Sequence, residues 1–312
     1  MRFNLLTTFL FASLAVPSIT SGSLFHEDFD SDHTANWTVN DPAVTDILAD
    51  FFYDYSAIGV PPAPGGSTTR GLKMTANNSG SVFGGFSASP NGQSFSGNYT
   101  VSFDMWQNYV GPLGPGGSGT TQLSFYGVGT AGNVAVWPGS SPKESVSFAT
   151  TLDGGSSLDV RLYSSIFPFN HPSGDAVYFA PGTNNSDPYY AGFTGQTAPA
   201  NQVSLFPGQT GTTDVGETSF KWRRVVIDVA NNIATWSIDG LPIARIDLTT
   251  VTLGGGNIFF GHSDTNNGVS TDPNRTLLNV TIIDNVRVVP EPSGLVLGAL
   301  VAIGAALVRR RR

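Results

Sequence analysis

The sequence predicts an all-β fold, a jelly-roll β-sandwich. Segments with β-branched or aromatic residues at every second position recur along the chain, and clusters of glycine, proline, serine and asparagine separate them. Between residues 23 and 288, no apolar helical period continues for more than about ten residues. Many short strands without intervening helices favour two packed sheets. No internal repeat of fixed period is present, which disfavours a propeller or a β-helix.

One segment departs from the alternating pattern. Apolar residues in Ala43–Phe52 recur at helical spacing after Asp41-Pro42, so we expect a short surface helix there. The alternating segments predict strands over Gly71–Asn77, Tyr99–Trp106, Thr121–Gly129, Ser145–Thr150, Leu158–Ser164, Phe220–Val229, Asn232–Gly240, Asn257–Gly261 and Leu277–Val289.

The stretch from Trp222 to Leu248 contains the clearest turn signals. One strand starts at Trp222 and ends before Asn231-Asn232, and the next ends at Asp239-Gly240, a dipeptide typical of two-residue hairpin turns. A strand led by tryptophan and followed by a strand that ends in Asp-Gly is similar to the late hairpin of laminin-G-like and concanavalin-like jelly rolls.

The two ends of the body also resemble such a sandwich. Phe25–Asp32, with Trp37, is similar to its first strand and Leu277–Val289 to its last, and the resemblance implies that these two strands pair. Trp222 and Trp236 lie in strong strand patterns, which predicts core positions for both.

The composition excludes several classes of function. The chain has no cysteine, which excludes disulfides, thiolate catalysis and cysteine-ligated zinc. The formal net charge is −8, and without Arg2 and Arg309–Arg312 only 10 basic residues remain against 23 acidic ones. Such an acidic body repels nucleic acid and anionic lipid, and it is compatible with divalent cations and with neutral or cationic polymers.

The N-terminus has the features of a secretory signal peptide over residues 1–22. Met1-Arg2 supplies a positive charge, Leu5–Val16 is an apolar stretch, and small residues follow. The alternative, a buried N-terminal helix, is disfavoured because an acidic, polar segment comes next. We therefore expect the folded domain over residues 23–288.

The C-terminal segment, residues 289–312, differs from the body. Its apolar run, Leu295–Val308, has 14 residues and spans about 21 Å as a helix, less than the ~30 Å hydrocarbon core. The cluster Arg309–Arg312 stays on the cytoplasmic side and snorkels, which lengthens the effective span. We expect a transmembrane helix over about residues 294–308, with the body exported.

Val289-Pro290-Glu291-Pro292, the apolar span and the arginine cluster together resemble a PEP-CTERM sorting tail. That tail occurs in exported proteins of Gram-negative bacteria that make exopolysaccharide. The resemblance implies recognition by an exosortase-type enzyme, cleavage near the motif, and delivery to the cell surface or extracellular matrix. The body also resembles exported PEP-CTERM proteins of planctomycete-like bacteria, whose activity is generally not established. The sorting residues that the resemblance implies are Pro290, Glu291, Pro292, Arg309, Arg310, Arg311 and Arg312.

No local catalytic motif is present. The paired carboxylates of a jelly-roll glycosidase, E-x-D-x-E, are missing, as are G-x-S-x-G and H-E-x-x-H. Triads assembled from distant segments are not excluded by spacing, although no local signal predicts one. Arg161 and Arg223, the basic residues a polysaccharide lyase would use, are read as exposed arginines on a sheet face. The sequence thus predicts no catalytic residue.

Two oxygen-rich segments are candidate calcium sites. Asp28, Asp30 and Asp32 would share one face of an extended strand, where like charges raise one another's pKa or bind a cation. Asp264 and Asn266 open a glycine-containing loop of calcium-binding type that lacks the bidentate glutamate of an EF-hand. The alternatives are strand capping for the first segment and ordinary turn chemistry for the second.

Exposed aromatic rings would stack on the C–H faces of sugars. Trp106, Trp137, Tyr189 and Tyr190 are the candidates, and core packing is the alternative for each. Three functions remain open: a non-catalytic surface protein that contacts polysaccharide, a glycan-active enzyme of the same fold, and a structural matrix protein without ligand. Two carboxylates about 6–10 Å apart in one groove would favour the enzyme. A concave face with two or three exposed aromatic rings would favour binding, and a flat, polar face without a groove would favour the structural role.

Overall fold

The computed structural model describes residues 22–41, 46–77, 84–110, 121–138, 144–153, 155–166, 168–266 and 270–291. The signal peptide up to residue 21 and the C-terminal helix, both predicted above, lie outside these ranges. Within them, no helix has the length and apolarity needed to cross a bilayer.

The described ranges are almost entirely β-structure. The helices are two short ones, α1 (Ala200–Leu205) and α2 (Arg275–Leu278), together with single 3-10 turns. The strands are β1 Phe25–Glu27, β2 Trp37–Asn40, β3 Ile47–Asp54, β4 Arg70–Ala76, β5 Gly84–Pro90, β6 Tyr99–Asn108, β7 Gln122–Thr130, β8 Val146–Thr151, β9 Val160–Tyr163, β10 Arg223–Ala230, β11 Ile233–Ile238, β12 Leu241–Asp247, β13 Asn257–Asp264 and β14 Val280–Pro290.

The strands form two antiparallel sheets. The large sheet has the order β12-β11-β10-β6-β14-β4-β3, with β1 paired to β14, and the small sheet has the order β2-β5-β13-β7-β8-β9. Neighbouring strands are mostly distant in sequence, so the chain crosses repeatedly between the sheets. Phe25 pairs with Val288, which confirms that the first and last strands of the body meet. The predicted all-β sandwich is thus confirmed at the level of its two sheets.

Aromatic rings from both sheets interdigitate in the main core. Phe103 of β6 lies edge-on to Tyr126 and to Phe260 of the small sheet, with ring centroids 4.9 Å apart in each pair. Trp236 of β11 contacts Phe148 of β8 at 5.2 Å and is fully buried. Such edge-to-face and tilted contacts are the preferred geometries for aromatic pairs. The core position predicted for Trp236 is confirmed.

The two hairpin turns have the expected left-handed backbone. Asn231 and Asn232 have φ values of 51° and 64°, and Asp239 and Gly240 have φ values of 50° and 82°. Positive φ at both central residues is the signature of a type I′ turn, whose twist matches that of the flanking strands. These turns set the β10–β11 and β11–β12 registers.

A second core covers one part of the outer face of the large sheet. Trp106, Trp222 and Ile282 are buried there beneath Tyr55 and Ile58, which belong to a 3-10 turn after β3. The Trp106 and Trp222 rings lie 5.7 Å apart, so the predicted core position of Trp222 is confirmed. The rest of this outer face, along β10, β6 and the end of β14, carries polar side chains.

The helix predicted over Ala43–Phe52 is wrong. Residues 47–54 form β3, an eight-residue strand paired to β4. A register shift between Asp50 and Tyr53 interrupts the alternation of side chains in the pairing. Consecutive apolar residues therefore mimic a helical period, which explains the error.

Candidate functional site

The candidate site begins with two aspartates on the outer face of the large sheet. Asp104 lies between Phe103 and Met105, whose side chains enter the core, so its own side chain projects outward. Asp284 on β14 pairs directly with Asp104 on β6. A bulge follows at once: the register shifts between residues 284 and 287, and Asn285 has φ 53°. The bulge turns the Asn285 side chain back toward Asp104.

The Asp104 carboxylate is held from both sides. Asn285 Nδ2 donates to its Oδ2 at 2.8 Å, and Arg224 Nη1 on β10 donates to its Oδ1 at 3.2 Å. Arg224 Nη2 also donates to Ser102 Oγ at 2.7 Å. Burial raises the pKa of Asp104, although the hydrogen bonds from Asn285 and Arg224 oppose the rise.

Asp284 is buried beside Asp104. Tyr55 donates its hydroxyl proton to Asp284 Oδ2 at 3.1 Å, and the Asn285 backbone N–H donates to Oδ1 at 2.6 Å. A methyl group on Gly66 would lie only 3.5 Å from Oδ2, so the loop before β4 covers this carboxyl group. Burial, with a smaller contribution from Asp104, raises the pKa of Asp284 to about 7.

A surface groove of about 430 Å³ opens over Asp104. We name it the Asp104 groove. The Arg224 side chain extends into the groove from β10 and is 41% exposed. Arg287 also lines the groove; its guanidinium is exposed, and no hydrogen bond or ion pair joins it to another described residue. Asp284 itself lies behind the lining. The lining residues are Pro64, Gly65, Asp104, Trp222, Arg224, Asp239, Asn285 and Arg287.

The groove combines bonded acceptors with the exposed guanidinium groups of Arg224 and Arg287. Asp239 Oδ1 accepts from the Arg224 backbone N–H at 2.8 Å, and its Oδ2 accepts from the buried Arg223 at 2.9 Å. Carboxylate, amide and guanidinium groups that line one groove match the adjacent hydroxyls of a sugar, because each offers paired donors or acceptors. The edge of Trp222 adds an apolar border, while its Nε1 donates to Pro61 O at 2.7 Å.

A second group of acidic residues surrounds a closed cavity between the sheets. Asp159 Oδ2 accepts from the Asn185 backbone N–H at 2.9 Å, and Glu217 Oε1 accepts from Asn185 Nδ2 at 2.7 Å. Burial raises the pKa of Asp159 to about 6 and that of Glu217 to about 8. The cavity that both line has about 10 Å³, room for about one water molecule. It is too small for a sugar.

The predicted acidic face at Asp28, Asp30 and Asp32 is not formed. β1 ends at Glu27, and Phe29 has φ 54°, so the segment is bent and the three carboxylates do not share one face. Asp28 accepts from the Asp30 backbone N–H, and Asp32 accepts from Thr34. The Asp30 carboxylate contacts the hydroxyls of Ser67 and Thr68. These are the bonds of capping residues, the alternative stated above.

The second predicted calcium segment is also internally bonded. Asp264 is fully buried, accepts from Asn77 Nδ2 at 2.8 Å and from the Asn266 backbone N–H at 2.8 Å, and has its pKa raised by burial to about 7. Residues 267–269 of that loop lie outside the described ranges. Among the residues that the structure describes, no group of three or more His, Asp or Glu side chains has the arrangement of a metal site.

The four aromatic residues predicted for sugar contact lie mostly in cores. Trp106 and Tyr190 are almost completely buried, and Trp137 is buried on the outer face of the small sheet against Phe125 and Phe259. Buried rings expose no face for stacking, so the core alternative describes these three. Tyr189 is half-buried, and its hydroxyl donates to Pro242 O at 2.7 Å.

Both arginines read as exposed are instead buried. Arg223 is 2% exposed and donates to the Glu217 and Thr218 carbonyls as well as to Asp239. Arg161 is 8% exposed and donates to the Leu158 carbonyl at 2.7 Å. Guanidinium groups are buried when backbone carbonyls and carboxylates satisfy their donors, which alternation alone does not reveal.

The first residues of the predicted sorting motif are part of the sheet. Pro290 pairs with Tyr99 at the end of β14, and the Glu291 backbone N–H donates to Asn98 O at 3.2 Å. The Glu291 carboxylate contacts the Thr100 hydroxyl. Pro292 and the arginines at 309–312 lie outside the described residues.

No protein-family model matches the sequence, and no curated protein is significantly similar to it. Solved structures with similar folds include a glycoside hydrolase family 16 endo-glucanase from Bacteroides ovatus, with 16% identity, a TM-score of 0.44, and coverage of 85% of this chain and 100% of that one. An endo-acting O-glycanase of the human gut microbiota is 15% identical, with a TM-score of 0.44 and coverage of 87% of this chain and 100% of that one. A Bacillus subtilis protein of unknown function with a galectin-like fold is 11% identical, with a TM-score of 0.40 and coverage of 86% of this chain and 96% of that one. At these scores the likeness adds nothing on substrate or mechanism.

Proposed function

We propose that the chain is an exported protein that binds polysaccharide in the Asp104 groove without cleaving it. One observation carries the proposal: an open groove on the outer sheet face is lined by a held carboxylate, an amide and two guanidinium groups. Arg224 and Asn285 orient Asp104, so its acceptors are fixed before a ligand arrives. Such preorganisation lowers the entropy cost of binding.

Arg287 contributes the ligand-facing cation. Its guanidinium is exposed and has no partner among the described residues, whereas Arg224 is engaged with Asp104 and Ser102. A bidentate donor of this kind pairs with adjacent sugar hydroxyls or with the carboxylate of an acidic sugar. The volume of about 430 Å³ suits one or two sugar rings, with the rest of the polymer outside.

Binding is tested on the purified protein by affinity electrophoresis in gels that contain a neutral glucan, a galactan or a polyuronate. We expect retardation in at least one gel, and Arg287→Ala and Asp104→Ala should weaken it by about tenfold or more, the effect of losing one or two charge-assisted hydrogen bonds. Arg245→Ala is the matched control, because it removes the same charge from an exposed position outside the groove. Equal retardation of all three variants would contradict the assignment of the groove.

A glycan-active enzyme is the second candidate, and the Asp104–Asp284 pair is what favours it. One carboxyl group kept protonated beside a second carboxylate is the combination that glycoside hydrolysis uses. The burial of Asp284 beneath Tyr55 and Gly66 favours binding instead, because a general acid must reach the glycosidic oxygen. Release of reducing ends from any of the polysaccharides, lost in Asp284→Asn, would establish the enzyme.

The cellular location of the protein is a separate proposal that rests on its sequence. We propose export through the N-terminal signal and processing of the PEP-CTERM-like tail by an exosortase-type enzyme, with delivery to the surface or matrix. Replacement of Arg309–Arg312 by serine is expected to leave the precursor in the wrong cell fraction. Unchanged delivery of that variant would contradict the role given to the arginine cluster.

A further inference from the structure

Three side chains after β9 form a hydrogen-bonded line. Ser164 Oγ lies 2.9 Å from His171 Nε2, and His171 Nδ1 lies 3.0 Å from Asp175 Oδ2. The backbone fixes this arrangement, because the Ser164 N–H donates to Phe169 O and the His171 N–H donates to Leu162 O, both at 2.9 Å. The group belongs to neither the Asp104 groove nor the Asp159–Glu217 cavity.

The partners determine where the protons lie. An ionised carboxylate only accepts, so His171 Nδ1 carries a proton toward Asp175, and in the tautomer with that single proton Nε2 is an acceptor. Burial alone would raise the pKa of Asp175, but its hydrogen bonds from His171 and from the Val177 backbone outweigh that effect and lower it. Ser164 Oγ accepts from the Ile166 N–H at 3.2 Å, which directs its own proton to Nε2. This is the proton order of a serine nucleophile with its base and orienting acid.

A surface cavity of about 530 Å³ lies against His171 and Asp175, with the buried Ser164 behind its lining. His171 and Asp175 line one side of it, and Arg245 adds a cation. The other lining residues are largely apolar: Ile166, Ala176, Val177, Ile233, Ile246, Asp247 and Thr250. A largely apolar pocket, with the charges of Arg245, Asp175 and Asp247 at its border and a serine–histidine pair beside it, fits the acyl group of a carboxylic ester.

We propose that Ser164, His171 and Asp175 form a second site, which hydrolyses carboxylic esters with a short acyl group. Ser164 Oγ adds to the ester carbonyl while its proton passes to His171 Nε2. The bond from the carbonyl carbon to the alcohol oxygen then breaks, and the departing alcohol takes the proton from His171. Water, activated by His171, adds to the acylated Ser164, and the acid leaves as the Oγ–H bond re-forms.

Ile166 controls access to the serine. Ser164 has no exposed surface, whereas Ile166 is 37% exposed, lines the cavity and donates its N–H to Ser164 Oγ. The Ile166 side chain must therefore move for an ester to reach Oγ. The variant Ile166→Ala should accelerate acylation several-fold.

The test is covalent labelling of the purified full-length chain with a fluorophosphonate, which reacts with activated serines. We expect one adduct, mapped to Ser164 by peptide mass spectrometry and absent from Ser164→Ala. Ser165→Ala is the matched control: it removes the neighbouring hydroxyl, which accepts from the Thr252 N–H, and should label at the wild-type rate. His171→Gln should slow labelling by at least 100-fold.

A purely structural role for the three residues predicts a different result. In that case the wild-type chain gives no adduct at Ser164 on prolonged incubation with the probe, and Ile166→Ala gives none either. That outcome overturns the proposal whether or not Ser164→Ala folds, because the labelling is scored on chains that retain Ser164. Polysaccharide binding in the Asp104 groove is unaffected by either result.

Discussion

Asp104 and Asp284 lie directly opposite each other on neighbouring antiparallel strands, Asp104 at the floor of the Asp104 groove and Asp284 buried behind its lining. Residues in that relationship have Cβ atoms about 4.5–5.5 Å apart, so two negative charges there would repel strongly. The raised pKa of Asp284, about 7, means that this carboxyl group is about half protonated at neutral pH. The outer face of the large sheet is therefore sensitive to pH.

The variant Asp284→Asn should be more stable than the wild type at pH 8 and equally stable at pH 4. The carboxyl group has a pKa near 3.8 when unfolded and about 7 when folded, so the folded state binds more protons between these values. The destabilisation of the wild-type protein by Asp284 is absent below pH 4, grows as pH rises from 4 to 7 and is complete above pH 7, where it reaches on the order of a few kcal/mol. Urea denaturation at the two pH values measures it. Equal stability of both proteins at pH 8 would refute the raised pKa.

The variant Glu217→Gln should flatten the stability profile between pH 6 and 9. Burial raises the pKa of Glu217 to about 8 from 4.5, so the folded protein loses stability as pH rises from about 4.5 to about 8. Glutamine keeps the acceptor for Asn185 Nδ2 and carries no charge. Melting temperatures at pH 6 and pH 9 should differ less in the variant than in the wild type, and an unchanged difference would count against this prediction.

The variant Gly216→Ala should destabilise the fold by about 2 kcal/mol or more. Gly216 has φ 97°, and a Cβ there would lie 2.0 Å from the Asn185 carbonyl oxygen. Relief of that clash would move the backbone beside Glu217 away from Asn185, whose Nδ2 donates to the Glu217 carboxylate. Gly208→Ala is the control, because a Cβ at residue 208 would meet nothing within 4 Å. Similar unfolding midpoints for both variants would show that residue 216 tolerates a side chain.

A polar chain crosses the core between the sheets, and Thr281 links two of its members. Thr281 Oγ1 lies 2.5 Å from Ser124 Oγ and 2.9 Å from His262 Nδ1, while His262 Nε2 lies 2.8 Å from Gln122 Oε1. Burial lowers the pKa of His262 to about 3, so the ring is neutral, and its Nε2 proton goes to Gln122.

Thr281→Val should therefore cost about 1–3 kcal/mol, because it leaves Nδ1 of a fully buried ring without a donor. Valine has the shape of threonine, so packing is preserved. Thr235→Val, at a half-buried strand position where the hydroxyl has no hydrogen-bond partner among the described residues, should be nearly neutral. Chemical denaturation compares the two, and equal effects would show that the polar chain does not stabilise the core.

The strand pattern and the turns were predictable because they are encoded locally. Alternating residues in β10 and β11 and the Asn231-Asn232 turn need only the neighbouring sequence to be recognised. β5, Gly84–Pro90, was not predicted because it consists of glycine, serine, alanine and a final proline around one phenylalanine, with no β-branched residue. Its place beside β13 is set by pairing, which composition does not reveal.

Neither site was predictable, for two different reasons. Asp104 and Asp284 belong to strands far apart in the sequence, and only the strand order of the large sheet joins them. Ser164, His171 and Asp175 are close in sequence but match no known spacing, and the bends that bring them together depend on contacts with β9. The sequence did not reveal that Trp106, Trp137 and Tyr190 are buried, because the exposure of a ring depends on which loops cover its sheet face.

The pairing of β1 with β14 brings the beginning and the end of the body together. Leu24 N–H donates to Val288 O at 2.8 Å, and the Ser23 hydroxyl lies 3.2 Å from the same oxygen. A linker of a few residues would therefore close this domain into a ring, and the chain could be reopened at a surface loop such as the one around Gly208 without disturbing either sheet. Whatever is fused to one end of the domain is delivered beside the other.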